Sequence, residues 1–169
     1  MILRFNYEFI EHPYKDESSS RGEKWAKFGV MLLDANGNPS RDIFRIQWDI
    51  IVFLEWVTDN KEALLSEELP SGIEDYSIAR SIFEFYENVD PDSDDDLLDA
   101  VYSYRQKHGL RFALRGVDID EIYIGKFDGV MTVSFYKDDD EQYSSNVEVD
   151  SFFTDVQYCI EKIGTSMSS

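Results

Sequence analysis

The period of the apolar residues changes at Trp48, and that change constrains the fold more than any other feature of the chain. Before it, Leu3, Phe5, Tyr7 and Phe9 alternate with Arg4, Asn6 and Glu8. Ala26, Phe28, Val30 and Leu32 share one face of the segment Trp25–Leu33. A period of two with one apolar face predicts half-buried strands. Between Asp34 and Pro39 the pair Asn36-Gly37 predicts a turn, because both residues tolerate positive φ. Ile43–Ile46 predicts a third strand, and the start of the chain reads as an antiparallel meander. From Trp48 the run WDIIVFLEWVTDN is apolar nearly all round. It predicts a buried helix that continues or restarts through KEALLSEEL and stops at Pro70-Ser71-Gly72.

Two more helices follow. Ile78, Ile82, Phe85, Tyr86 and Val89 fall at helical spacing between Ser77 and Val89. Asp90–Asp96 is an acidic loop that leads into the next helix, with Ser93 or Asp94 as its N-cap and further aspartates in the first turn, where the helix dipole favours them. Leu97, Leu98, Val101 and Tyr104 form the apolar stripe of that helix. His108 is expected as a cation at its end and Gly109 as the residue that stops it. Leu110, Phe112 and Leu114 then alternate with Arg111, Ala113 and Arg115, which predicts a strand with one basic face.

Ile122–Gly125 and Val130–Tyr136 flank Phe127-Asp128-Gly129, a strong hairpin signal. Tyr143, Ser145, Val147 and Val149 predict one more strand. Asp150 or Ser151 caps a last helix that buries Phe152, Phe153, Val156, Ile160 and Ile163 and ends at Gly164. Strands, then helices, then strands, then one helix indicate an α+β fold. Its antiparallel sheets come from the N-terminal and C-terminal strands, packed against a central group of helices and a C-terminal helix. The length suits a single domain over residues 1–164, with 165–169 as a frayed tail.

Charge narrows the partners. The formal net charge is −19, from 35 acidic and 16 basic residues. That excess opposes contact with phosphate backbones and anionic membranes, so neither nucleic acid nor a membrane is expected as a partner. It favours capture of a basic protein by electrostatic steering. The acid is unevenly placed: residues 71–104 hold ten acids and one base, and 137–169 hold eight acids and two bases. Between them, 105–136 hold four acids and five bases. No run of eighteen apolar residues exists, and the N-terminus lacks a signal-peptide core. A cytoplasmic protein is expected, and the single cysteine, Cys159, suits a reducing compartment and a buried, inert thiol. No feature specifies an oligomeric state.

No catalytic motif is present. Asp90, Asp92 and Asp94 match the start of a calcium loop, but Asp95 and Val101 stand where Gly and Glu are required, so helix capping is the expected role. Two scattered histidines and one cysteine do not make a zinc site. There is no GxSxG, phosphate-binding Gly loop or GxGxxG. Catalytic residues, cofactors and metals are therefore expected to be none, and the chain is not expected to be an enzyme. Arg105, His108, Arg111 and Arg115 form the one basic cluster. Either these side chains pair with neighbouring carboxylates, or they form an anion site of a small-ligand or enzyme module.

The run HGLRFALRGVDIDEIYIG, followed by a short hairpin and VEVDSFFTDV, resembles the C-terminal half of a group of small bacterial immunity-protein-like domains that accompany polymorphic and contact-dependent toxins. The likeness extends over residues 48–158 and is best over 104–125. Asp120 stands where that group has proline, and Tyr143 where it has tryptophan before the last strand. The resemblance implies a protein that binds and neutralises a basic toxin domain, such as a nuclease, by covering its active site. Asp92, Asp94, Asp95, Asp96, Asp99, Asp138, Asp139, Asp140 and Glu141 would then steer and rim the contact. Tyr102, Tyr136 and Tyr143 would serve as exposed aromatic anchors. An acidic nucleic-acid mimic is the remaining alternative.

Overall fold

The computed structural model describes residues 1–14, 22–73, 76–90, 92 and 95–167, with side chains as far as Gly164. In chain order its elements are β1 (Ile2–Phe9), β2 (Trp25–Leu33), β3 (Pro39–Asp49), α1 (Ile50–Ser66), α2 (Ile78–Asn88), α3 (Asp95–His108), α4 (Leu110–Ala113), β4 (Ile122–Phe127), β5 (Val130–Tyr136), β6 (Gln142–Asn146) and α5 (Asp150–Met167). The fold is α+β, with antiparallel sheets ordered β1-β2-β3 and β4-β5-β6. The chain divides into two compact units, Met1–Val57 with Glu148–Ser169, and Thr58–Val147.

In the first unit, alternation sends Leu3, Phe5, Ala26, Phe28, Val30, Leu32 and Phe44 into the core. Register pairs Phe5 with Val30 and Val30 with Phe44. β3 is longer than Ile43–Ile46 and includes Trp48, which pairs with Ala26. The helix therefore starts two residues later than expected. Asp49 fixes the junction: its carboxylate accepts from the backbone N–H groups of Ile51 (3.1 Å) and Lys24 (2.9 Å). α1 then runs without a break through Asp59-Asn60, and it is amphipathic rather than buried all round. Ile50, Phe53, Leu54 and Val57 are buried, whereas Val52 is 37% exposed.

α5 lies against β1. Arg4 donates twice to Asp155 (2.6 and 2.9 Å), and the Phe5 N–H donates to the same carboxylate at 3.2 Å. A bidentate guanidinium–carboxylate pair of this kind fixes orientation as well as distance. Phe152, Phe153, Val156, Cys159 and Ile163 are buried, and the helix passes through Gly164 to Met167 instead of stopping there.

In the second unit, α2 and α3 cover the face of the β4-β5-β6 sheet that carries Tyr123, Gly125, Thr132, Ser134 and Tyr136. The Ala79 N–H of α2 donates to the Ser134 hydroxyl at 3.0 Å, and Ile78, Ala79, Ile82, Val101, Tyr104, Tyr123 and Tyr136 form one core cluster. The Ser77 hydroxyl accepts from the Arg80 N–H at 3.3 Å, as an N-cap should. Asp128 (φ 51°) and Gly129 (φ 76°) make the expected two-residue hairpin turn, whose positive φ values match the twist of the flanking strands.

Two expectations fail here. Leu110–Leu114 is not a strand: Leu110–Ala113 is the helical turn α4. Leu110, Ala113 and Leu114 are the buried side chains, so a spacing of three and four overrides the apparent alternation. The β6 strand also ends at Asn146. The Val147 N–H still donates to Met131 at 2.8 Å, but Glu148 exchanges backbone hydrogen bonds with Met1 and Leu3 (2.9 Å each). Val147 and Val149 are both buried, although they do not continue one strand.

Candidate functional site

Three cations of the basic stretch, Arg105, Lys107 and Arg111, meet carboxylates within their own unit. Glu121, just before β4, receives Arg105 from α3 at 3.2 Å and Arg111 from α4 at 3.0 Å. The Tyr123 hydroxyl donates to the same carboxylate at 2.8 Å and accepts from Arg105 Nε at 3.1 Å. Burial alone would raise the Glu121 carboxyl, but the Tyr123 hydrogen bond and the two guanidinium groups hold it below the usual carboxylate range. Lys107 is bidentate to Glu67, 3.0 Å to each oxygen. Arg115 is exposed and makes no ion pair among the described residues. Because α4 is helical, Arg111 and Arg115 do not share the face of a strand.

His108 is not the solvated cation expected at the end of α3. It is fully buried and stacks on Tyr104, with centroids 3.8 Å apart and planes 8° from parallel. Its Nδ1–H donates to the Ile124 carbonyl at 2.9 Å. Among the described residues its Nε2 makes no hydrogen bond, and it lies 3.8 Å from a Glu67 carboxylate oxygen. Burial pushes the imidazole below its usual value, against the opposing pull of the Ile124 carbonyl and Glu67. Gly125 makes room for the stack: a Cβ there would stand 2.6 Å from His108 Nδ1 and 2.8 Å from the Tyr104 hydroxyl.

The acids stay in solvent. Asp92 is exposed in the turn before α3, and Asp95, Asp96 and Asp99 are exposed on α3. Asp94, and Ser93 with it, lie outside the described residues. Asp138, Asp139, Asp140 and Glu141 form the exposed β5–β6 turn, where the Asp138 carboxylate accepts from the N–H groups of Asp140 (2.9 Å) and Glu141 (2.8 Å). Asp139 lies 3.5 Å from Arg80 in the first turn of α2, whereas Asp90 and Asp92 follow that helix's last residue. At about 1.5 Å of rise per residue, the two ends of the 11-residue α2 are roughly 15 Å apart, with Asp139 at the first and Asp90 and Asp92 following the last.

Of the three tyrosines expected as exposed anchors, Tyr102 is 48% exposed and packs edge-on against Phe112 (6.2 Å). Tyr143 is half-buried. Tyr136 is only 8% exposed, because its strand position faces α2, where Phe83 packs on it at 5.1 Å.

What the alternation did not reveal is a pocket beside that ring. It has a volume of about 160 Å³. Ala79 and Ile82 lie at its base, Phe83, Tyr86, Tyr123 and Tyr136 supply aromatic surface, and Arg105 with Glu121 closes its polar end. The signal available in the sequence was the aromatic stripe of α2, Phe83 and Tyr86 next to Ile82, which reads equally well as core. Phe83 is 39% exposed, so the stripe extends past the core to the surface.

Among the described residues, no three His, Cys, Asp or Glu side chains are grouped to hold a metal ion. No described helix is long and apolar enough to cross a membrane. Comparison with protein-family models, with curated proteins and with solved structures found no match.

Proposed function

We propose that the chain is an acidic protein-binding inhibitor of the immunity type, acting in the cytoplasm. It neutralises a basic bacterial protein, such as a toxin domain with nuclease activity, by covering the active site. One observation carries this reading. Arg105, Lys107 and Arg111 of the basic stretch are paired inside the second unit, while the acids at the two ends of α2 are exposed. Such a surface attracts a basic partner at long range, and the pairs it forms at its rim set the approach rate more than the final affinity. The small-anion alternative needs arginines without carboxylate partners, and Arg105 and Arg111 share Glu121 instead.

The test is co-expression. The gene beside the one for this chain is induced in a bacterial host with and without it. Arrested growth that the chain restores, with a complex isolated at low salt, is the expected result. A neighbour whose product is harmless, or toxicity that the chain leaves untouched, would sink the reading.

A further inference from the structure

The pocket on α2 has the size, lining and surroundings of a socket for one side chain. We propose that it receives a phenyl-sized aromatic side chain of the basic partner, one flanked by Lys or Arg in its own sequence. The inference rests on the protein-binding reading above and names the chemistry that the surface selects.

Three features lead to this occupant. The first is size: a cavity of about 160 Å³ is close to the roughly 150 Å³ engineered apolar cavity that takes up benzene. It has room for a single ring, and its open side lets the rest of the partner's chain remain in solvent. The second is lining. Phe83, Tyr86, Tyr123 and Tyr136 offer aromatic surface around Ile82, and aromatic pairs favour offset and edge-to-face contacts over simple area burial.

The two arginines nearest the pocket already lie over its rings. The Arg105 guanidinium is 4.8 Å from the Tyr86 centroid and that of Arg80 is 5.3 Å from Tyr136. Those two rings already hold cation–π contacts, so a lysine or arginine head group would compete for them, whereas a neutral ring packs against the remaining aromatic surface. The third feature is the rim. The Tyr136 hydroxyl donates to Asp139 at 3.3 Å, which ties the pocket wall to the exposed aspartate turn. Glu87 lines the pocket and is exposed at its other side. Carboxylates outside the cavity suit cations next to the ring in the partner's chain, where rim charge sets approach and register while the buried ring supplies the anchor.

The experiment is an isotope-labelled NMR titration of the full chain with three probe peptides: acetylated, amidated Lys-Lys-Tyr-Lys-Lys, the same peptide with alanine for tyrosine, and Glu-Glu-Tyr-Glu-Glu. Saturable shifts at Ala79, Tyr86 and Tyr123 are expected with the first peptide alone, at an affinity at least tenfold above either of the others. F83A removes one exposed wall and should weaken the first peptide about tenfold without changing the far-UV circular dichroism. Y158A, at an exposed tyrosine of α5 that does not line the pocket, should leave it unaltered.

Equal binding by the alanine peptide would reduce the site to charge attraction and overturn the proposal. So would shifts that map away from α2, or an F83A protein that binds as well as the parent. These readouts need no cognate partner, so a failed growth rescue and a failed peptide titration are separate results.

Discussion

The two three-stranded sheets share a topology and bury different chemistry. The first is filled with phenylalanine: Phe53 lies within 5.2 to 5.8 Å of Phe5, Phe28 and Phe44, ring centre to ring centre. The second buries Tyr104, Tyr123, His108, Thr132 and Ser134. An apolar core gains stability from any well-packed neighbour, whereas each buried hydroxyl or imidazole needs a partner in a fixed direction. In the second core Tyr123, Thr132, Ser134 and His108 Nδ1 have such partners, whereas among the described residues the Tyr104 hydroxyl and His108 Nε2 have none. This core also carries the ring-lined pocket and exposed acid at both ends of α2.

Truncation of the phenylalanine core should have the largest effect. F53A is expected to cost about 3–5 kcal/mol, as for other fully buried phenylalanines, measured by urea unfolding. Y136F, which removes only a hydroxyl bonded to an exposed aspartate, should cost less than about 1 kcal/mol. A Y136F loss as large as that of F53A would mean that the Tyr136–Asp139 hydrogen bond matters as much as a buried ring.

Next come the glycines that bring each sheet into close contact. A Cβ on Gly29 would lie 2.3 Å from the backbone oxygen of Phe44, and neither strand can move without breaking the ladder. On Gly125 the obstacles are the side chains of His108 and Tyr104. G29A should fall at or above the upper end of the ~1–3 kcal/mol typical of overpacking, and G125A within it. The reverse order would show that the Tyr104–His108 stack is the more rigid of the two.

The imidazole adds a pH dependence to the second core. Burial makes folded His108 harder to protonate than in the unfolded chain. Its contribution to stability is then complete above the unfolded value of about 6.5 and is lost as pH falls below it, at about 1.4 kcal/mol for each tenfold weakening of proton affinity. Glu67 opposes this from 3.8 Å, and Lys107 and Tyr104 are the other titratable groups beside the ring. Stability measured between pH 7 and 5 should drop in the parent and drop less in H108N. A parent that gains stability on acidification would mean that the Glu67 pair outweighs burial.

The smallest effect on folding belongs to the rim. D139K removes the acceptor of the Tyr136 hydroxyl and an exposed ion pair with Arg80, and should alter stability by about 1 kcal/mol or less. It should nevertheless slow association with a basic partner and flatten the salt dependence of that rate.

Much of this molecule is legible in its sequence because the signals involved are local. Alternation places β1 and β2, and Asp128-Gly129 sets its hairpin, each through backbone geometry that a few adjacent residues control. Alternation misread Leu110–Leu114 for the same reason. Five residues with apolar side chains at every second place fit a strand, and only the burial of Ala113 in place of Phe112 selects the helical turn. The pocket was likewise hidden, because an aromatic stripe on α2 looks the same whether a helix seals it or leaves part of it open.

The basic stretch shows where that boundary falls. Its composition, five bases among four acids between two acidic blocks, is a property of the sequence, and so is the surplus of negative charge that must remain in solvent. Which carboxylate each cation meets depends on residues far apart in the chain: Glu67 with Lys107, Glu121 with Arg105. Whether His108 is a solvated cation or a buried neutral ring depends on Gly125, seventeen residues away, having no side chain. Charge is additive and can be read in order, but burial and pairing depend on what the fold brings within a few ångströms, and that was decided only by the tertiary structure.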